Sequence, residues 1–217
     1  MSLLYSSRIL FVLGLLPLLV SSSYRARVLS IYAAGYEGQL YKEDLSLQKH
    51  QYTIATSRSH VVYMKTLTFE KLAKEYRGKI SFVHYFPRVV ITSAYSSPDL
   101  PTWFTIIWKI FGPIVKTMFA TNSEESGDRV LYLASNFFSP LTDAERATGR
   151  DNRVAATSTD GLRGGGSFSV NWNNEVWPQS YMEKRYKLLR GENFDQTVWK
   201  HTMSVFDTIK AGNTYEG

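Results

Sequence analysis

The sequence predicts an α/β fold built on a parallel sheet, on three observations. The run Ile80–Phe86 is apolar and rich in aromatic and β-branched residues, the composition of a buried strand, and it stops at Pro87, which has no N–H to give a ladder. A helical pattern, Tyr52–Tyr76, feeds straight into it. That pattern carries Val62, Leu67, Phe69, Leu72 and Ala73 as its apolar positions and Lys71, Lys74 and Glu75 as its polar side. The same helix-then-strand step occurs upstream, where the apolar stretch inside Met1–Ser23 leads to Arg27–Ile31 and then to Ala33-Ala34-Gly35. Helices alternating with short buried strands build parallel sheets, whose ligands gather beyond the carboxyl ends of the strands. The loop Pro87–Thr92 is therefore the first place to look for a ligand site.

The composition fits one folded domain with a core: 217 residues, 44% hydrophobic and 20% charged, with no internal repeat and no clear second domain. The net charge of +6 comes from 25 basic and 19 acidic residues scattered without a basic run, so nucleic acid is not an expected partner. Cysteine is absent, which excludes disulfides and thiolate metal sites, and His50, His60, His84 and His201 show no ligand spacing, so no metal is expected.

Two readings fit Met1–Ser23. Arg8 followed by Ile9–Val20 and three serines has the layout of a secretory signal peptide. The apolar run of 12 residues is too short to span a bilayer. The second reading is a helix packed against the sheet. A poor cleavage pattern, the absence of an N-x-S/T acceptor and the strand that follows favour it. A cytoplasmic protein is the expectation, with the secretory pathway as the alternative.

Tyr36–Gln51 is polar and reads as an exposed connection, and Ser93–Pro101 as a turn-rich loop. Thr102–Thr121 is strongly apolar, with Lys109 and Lys116 on one helical face and Gly112-Pro113 interrupting it. It reads as an interfacial helix with peripheral membrane contact, as a lid over an apolar ligand, or as a buried core helix. Asp128–Asn136 reads as a compact helix, Pro140–Gly166 as a flexible segment, Ser167–Trp172 as a strand, and Ser180–Lys210 as an amphipathic helical tail. Gly164-Gly165-Gly166 follows a polar loop and precedes a strand, so it is not a phosphate loop.

The order of these pieces resembles the C-terminal part of the short-chain dehydrogenase/reductase family, particularly its fungal members. Arg27–Ile31 looks like the strand after the family's fourth crossover helix, and Tyr52–Tyr76 like its catalytic helix. Pro87-Arg-Val-Val-Ile-Thr92 resembles its cofactor loop, P-G-x-V-x-T. Glu124–Asn136 resembles the helix after the substrate loop, and Gly165–Trp172 the last strand. The implied fold is a partial Rossmann-like doubly wound parallel sheet that lacks the first βα units. With them go the glycine-rich phosphate turn and about 100 residues, at roughly 30 residues per unit. Thr102–Thr121 falls in the family's apolar substrate-binding insertion.

The resemblance implies an oxidoreductase that uses NADP or NAD on a carbonyl or alcohol of a small lipophilic molecule, in fungal secondary metabolism. It implies Tyr52 as proton donor and Pro87, Val90 and Thr92 as cofactor contacts. A tyrosine near its ordinary pKa is a poor acid at neutral pH, so a nearby cation has to tune it. The family places a lysine four residues on; here that position is Thr56. The family's serine corresponds to Tyr32, with Ser30 close by, and the glycine after the loop proline is Arg88. These departures support the alternative of a non-catalytic binding protein, or an inactive remnant of that family.

Overall fold

The computed structural model describes residues 1–92, 97, 100–118, 120–148 and 155–215. Most of the turn-rich stretch 93–101 and the middle of the 140–166 segment lie outside them.

Three parallel strands form the sheet: β1 (Ala26–Ile31), β2 (Ile80–Tyr85) and β5 (Ser167–Val170), in the order β1-β2-β5. The register pairs Ser30 with His84 and His84 with Ser169, so these three residues form one row across the sheet. Every residue of β2 is buried, as its composition requires. Alternate side chains leave a strand on opposite faces. Ile80 and Phe82 join a core with α2 (Ile54–Glu75), α6 (Gln179–Gly191) and α7 (Phe194–Lys210), whereas Val83 and Tyr85 join a second core with Leu133, Phe138 and Phe168. The sheet is thus covered by helical layers on both faces, the arrangement of a partial Rossmann-like fold.

The N-terminal segment enters with a π-helical turn, Ser2–Ser6, and continues as α1 (Ser7–Ser21). Tyr5 and Ile9 lie in the core, and the Tyr5 hydroxyl sits 2.7 Å from Thr68 Oγ1 and 2.8 Å from Thr202 Oγ1, pinning the turn onto α2 and α7. The continuous helix Leu3–Ser21 is 19 residues long, and its length and apolarity suffice to cross a membrane. This corrects the estimate from the 12-residue run, because the helix extends through Tyr5 to Ser7.

Helix α2 begins with a capping box: Thr53 accepts from the Thr56 amide at 3.1 Å, and Thr56 Oγ1 accepts from the Thr53 amide at 2.9 Å. Two sequence expectations are corrected around it. Tyr36–Gln51 is not an exposed connection, since Glu37, Asp44, Leu45 and Leu47 are buried. Glu37 accepts from the Tyr181 and Tyr186 hydroxyls, both at 2.7 Å. Asp44 accepts from the amides of Gln48, Lys49 and His50. Burial alone would raise the Asp44 pKa, but these N–H groups and the His50 ring hold it well below the usual carboxylate range. Polar residues that satisfy one another inside a loop leave no trace in a hydrophobicity pattern.

The described part of 140–166 is likewise packed rather than flexible. Ala155, Ala156, Ser158 and Thr159 are buried, and the Arg190 guanidinium donates to the Thr159 carbonyl at 2.8 Å. The tail is two helices, α6 and α7, separated at Asn193, whose φ of 51° is left-handed and breaks the run. The remaining elements are β3 (Val89–Val90), α3 (Thr102–Met118), β4 (Ala120–Thr121), α4 (Ser123–Leu133) and α5 (Asp143–Thr148). Helix α4 starts before the expected Asp128 because Asn122 caps it, accepting from the Glu124 amide at 3.3 Å.

Candidate active site

Two groups of residues meet beyond the carboxyl ends of β1 and β2. The first is centred on Tyr32. Its ring stacks near the His84 ring with centroids 6.5 Å apart, and the Lys65 amine and the Arg8 guanidinium lie 4.8 and 5.7 Å from its centroid. Burial raises the Tyr32 pKa, and a Tyr52 phenolate would raise it further, while Arg58 and Arg8 pull it down. Tyr52 is therefore within electrostatic reach of Tyr32. It sits exposed just ahead of α2, with its hydroxyl 3.1 Å from the Met1 amine as acceptor. Thr56 is committed to the capping box and supplies no charge. The cations near Tyr32 come instead from α1, which carries Arg8, and from α2, with Arg58 one turn in and Lys65 about three turns in.

The neighbouring turn is built for close approach. Gly35 has φ +86°, and a Cβ there would lie 1.9 Å from the Trp177 ring. Glycine alone fits this site. The turn brings the Tyr36 ring to 4.4 Å from the Phe86 ring, with the Arg58 guanidinium 5.2 Å from the Tyr36 centroid.

The second group is the loop after β2. Pro87 and Val90 are half-buried and Thr92 is exposed. Strand β3 pairs in parallel with β4, Val90 opposite Thr121, so the two ends of the 91–119 excursion are held side by side. Arg88 has φ +64°, a left-handed conformation that a side chain disfavours by about 1–2 kcal/mol. The family-type motif has glycine at this position, and the backbone still requires what glycine supplies. The Arg88 guanidinium lies 4.8 Å from the Trp172 ring centroid and donates to the Met118 carbonyl; Arg129 lies 4.7 Å from the same centroid. Both Arg88→Gly and Arg88→Ala lose these contacts, but only alanine keeps the strain. Urea unfolding is expected to show Arg88→Ala about 1 kcal/mol less stable than Arg88→Gly.

Helix α3 presents Trp103, Ile106, Ile110, Phe111 and Ile114 to solvent, and Gly112 is its one buried residue among those described. The buried-core reading of this segment is thereby corrected. Tyr52 lies by the Tyr32 group and Pro87, Val90 and Thr92 lie in the loop after β2, while Arg8, Arg58 and Lys65 reach Tyr32 from elements that only folding brings together.

This architecture is that of a partial Rossmann-like α/β fold with a parallel sheet. Over the part of the fold it spans, the chain is of the fungal short-chain dehydrogenase/reductase type. It is 31% identical to the short-chain dehydrogenase/reductase SAT2 of Stachybotrys chartarum over 98% of this chain and 59% of that protein. It is 31% identical to the oxidoreductase AN1596 of Emericella nidulans, over 94% of this chain and 60% of the relative. It is 30% identical to the oxidoreductase andH of Emericella variicolor, over 94% and 59%. The chain thus spans about 59–60% of the length of these curated relatives. No family model matches it. No solved structure matches it.

Proposed function

We propose that this chain is the substrate-side part of an NADP- or NAD-dependent oxidoreductase acting on a carbonyl or alcohol of a lipophilic intermediate in fungal secondary metabolism. The observation that carries this reading is the β3–β4 ladder. It fixes both ends of the apolar excursion containing α3 against the Pro87–Thr92 loop, so a greasy molecule held by α3 would lie next to a nicotinamide held by the loop. The residues of the loop fit the nicotinamide end of the cofactor. Thr92 offers an exposed hydroxyl to the carboxamide, and Pro87 and Val90 offer a partly covered apolar wall. When bound, the cofactor supplies or accepts a hydride. In this reading Tyr52 gives the proton to the carbonyl oxygen. The cytoplasm is the compartment that suits this chemistry.

A second reading, a binding protein without turnover, is favoured by Thr56. Its hydroxyl is locked in the capping box and offers Tyr52 no charge. Fluorescence titration of NADPH and NADH into the full 217-residue chain separates the readings. Saturable binding is expected, weakened about tenfold in Thr92→Ala by loss of one hydrogen bond. Tyr52→Phe is expected to bind the cofactor normally and to lose about 100-fold or more in oxidation of NADPH by an apolar ketone. Binding without measurable turnover supports the second reading, and a folded chain that binds neither cofactor sinks the first.

A further inference from the structure

A cavity of about 660 Å³ lies between α1, β1 and α2, within the roughly 300–1,000 Å³ of ordinary small-molecule sites. Its wall is mostly apolar, with Phe11, Leu15, Val28 and Phe69 among the lining residues. The charged groups that line it are all cations, Arg8, Arg27 and Lys65, and no acidic side chain is among the lining residues.

Lys65 is the unusual member. It is fully buried, and its amine has no hydrogen-bond partner. Around it stand Arg8 of α1, the ring of Tyr32 after β1 and His84 of β2, and no carboxylate among the described residues acts on the amine. Both ring nitrogens of His84, which lies within electrostatic reach of Lys65, are also buried without partners. A buried amine without a partner is unfavourable, and an anion bound in the cavity beside Lys65 and Arg8 would satisfy it. Burial, helped by Arg8, holds the Lys65 amine down at about 7, and burial first, then Lys65 and Arg8, keeps His84 neutral.

We propose that this cavity binds an aliphatic carboxylate, with Lys65 and Arg8 taking the head group and the Phe11–Leu15 side of α1 covering the chain. The site lies apart from the Pro87–Thr92 loop but shares Arg8 and Lys65 with the group around Tyr32, and its test needs neither cofactor nor turnover. Because an anion favours the ammonium form, binding draws a proton onto Lys65. Affinity should be full below pH 7 and fall about tenfold per unit above it.

The test is calorimetric titration of the full chain with dodecanoate, dodecanol and acetate. Saturable binding of dodecanoate, at least tenfold tighter than dodecanol, with no binding of acetate, is expected. Net proton uptake at pH 8 should appear as a dependence of the heat on the buffer's ionisation enthalpy. Lys65→Met should bring dodecanoate down to the level of dodecanol, and Arg8→Met should weaken it. Melting curves of both variants show whether they are folded. Equal affinity for acid and alcohol, dodecanoate binding unchanged by Lys65→Met, absence of proton uptake, or no binding to the folded chain would each overturn the proposal.

Discussion

Lys65→Met is expected to stabilise the folded chain by about 4 kcal/mol at pH 7. The Lys65 amine titrates at about 7 in the fold against 10.5 when free, and each pH unit of difference is about 1.4 kcal/mol. The sign follows from linkage. A lysine whose folded pKa is depressed is disfavoured in the fold whenever the unfolded chain is charged. Below about 7 both states carry the proton and the full penalty applies. Between about 7 and 10.5 the unfolded state holds more protons, so stability rises with pH; above 10.5 the penalty is gone. The substitution should remove that rise, and methionine fills the space of the lysine stem without a polar atom. Urea unfolding of the two chains from pH 6 to pH 10 reads both effects. Parallel curves, with no gain at pH 7, would mean that the amine has a partner or that water reaches it.

Glu70→Ala should cost about 3 kcal/mol. Glu70 is buried on α2 and accepts from Arg190 Nε at 3.1 Å and Arg190 Nη2 at 2.6 Å. The same guanidinium donates to the Thr159 carbonyl, so one arginine ties together α2, α6 and the packed segment before β5. Removing the carboxylate leaves a mostly buried cation with the Thr159 carbonyl, the Tyr186 ring and the more distant Asp160 charge, and breaking such pairs costs about 3–5 kcal/mol. The lower figure is appropriate because the arginine side chain keeps 25% of its surface in solvent. The double variant Glu70→Leu/Arg190→Met should recover much of the loss, since a matched apolar pair replaces an orphaned charge. A double variant as unstable as the sum of its parts would show that the two side chains do not work as a unit.

The strands were legible because burial of a parallel strand is written in its own composition. Ile80–Phe86 reads as buried, and every residue of β2 is. The helix before it, the loop closed by Pro87 and the last strand were equally local signals. Their order carried the resemblance and with it Pro87, Val90 and Thr92. Arg88 could be matched to a glycine in sequence, but its left-handed backbone is visible only in the fold.

The sequence by itself determined the α/β class, the parallel strands, the family type and the loop that stands beyond β2. Each of these depends on residues close together along the chain. The tertiary structure alone decided that Glu37 and Asp44 are buried, that α3 exposes its apolar face, and that Lys65 sits unpaired among cations. Helical periodicity reports which residues share a face, not what covers that face. Helix α2 is enclosed by α1, the sheet, α6 and α7, elements separated by up to most of the chain, so polar positions such as His60, Lys65 and Glu70 are buried. The charge state of Lys65 is set first by burial and then by Arg8, both of which only folding brings about.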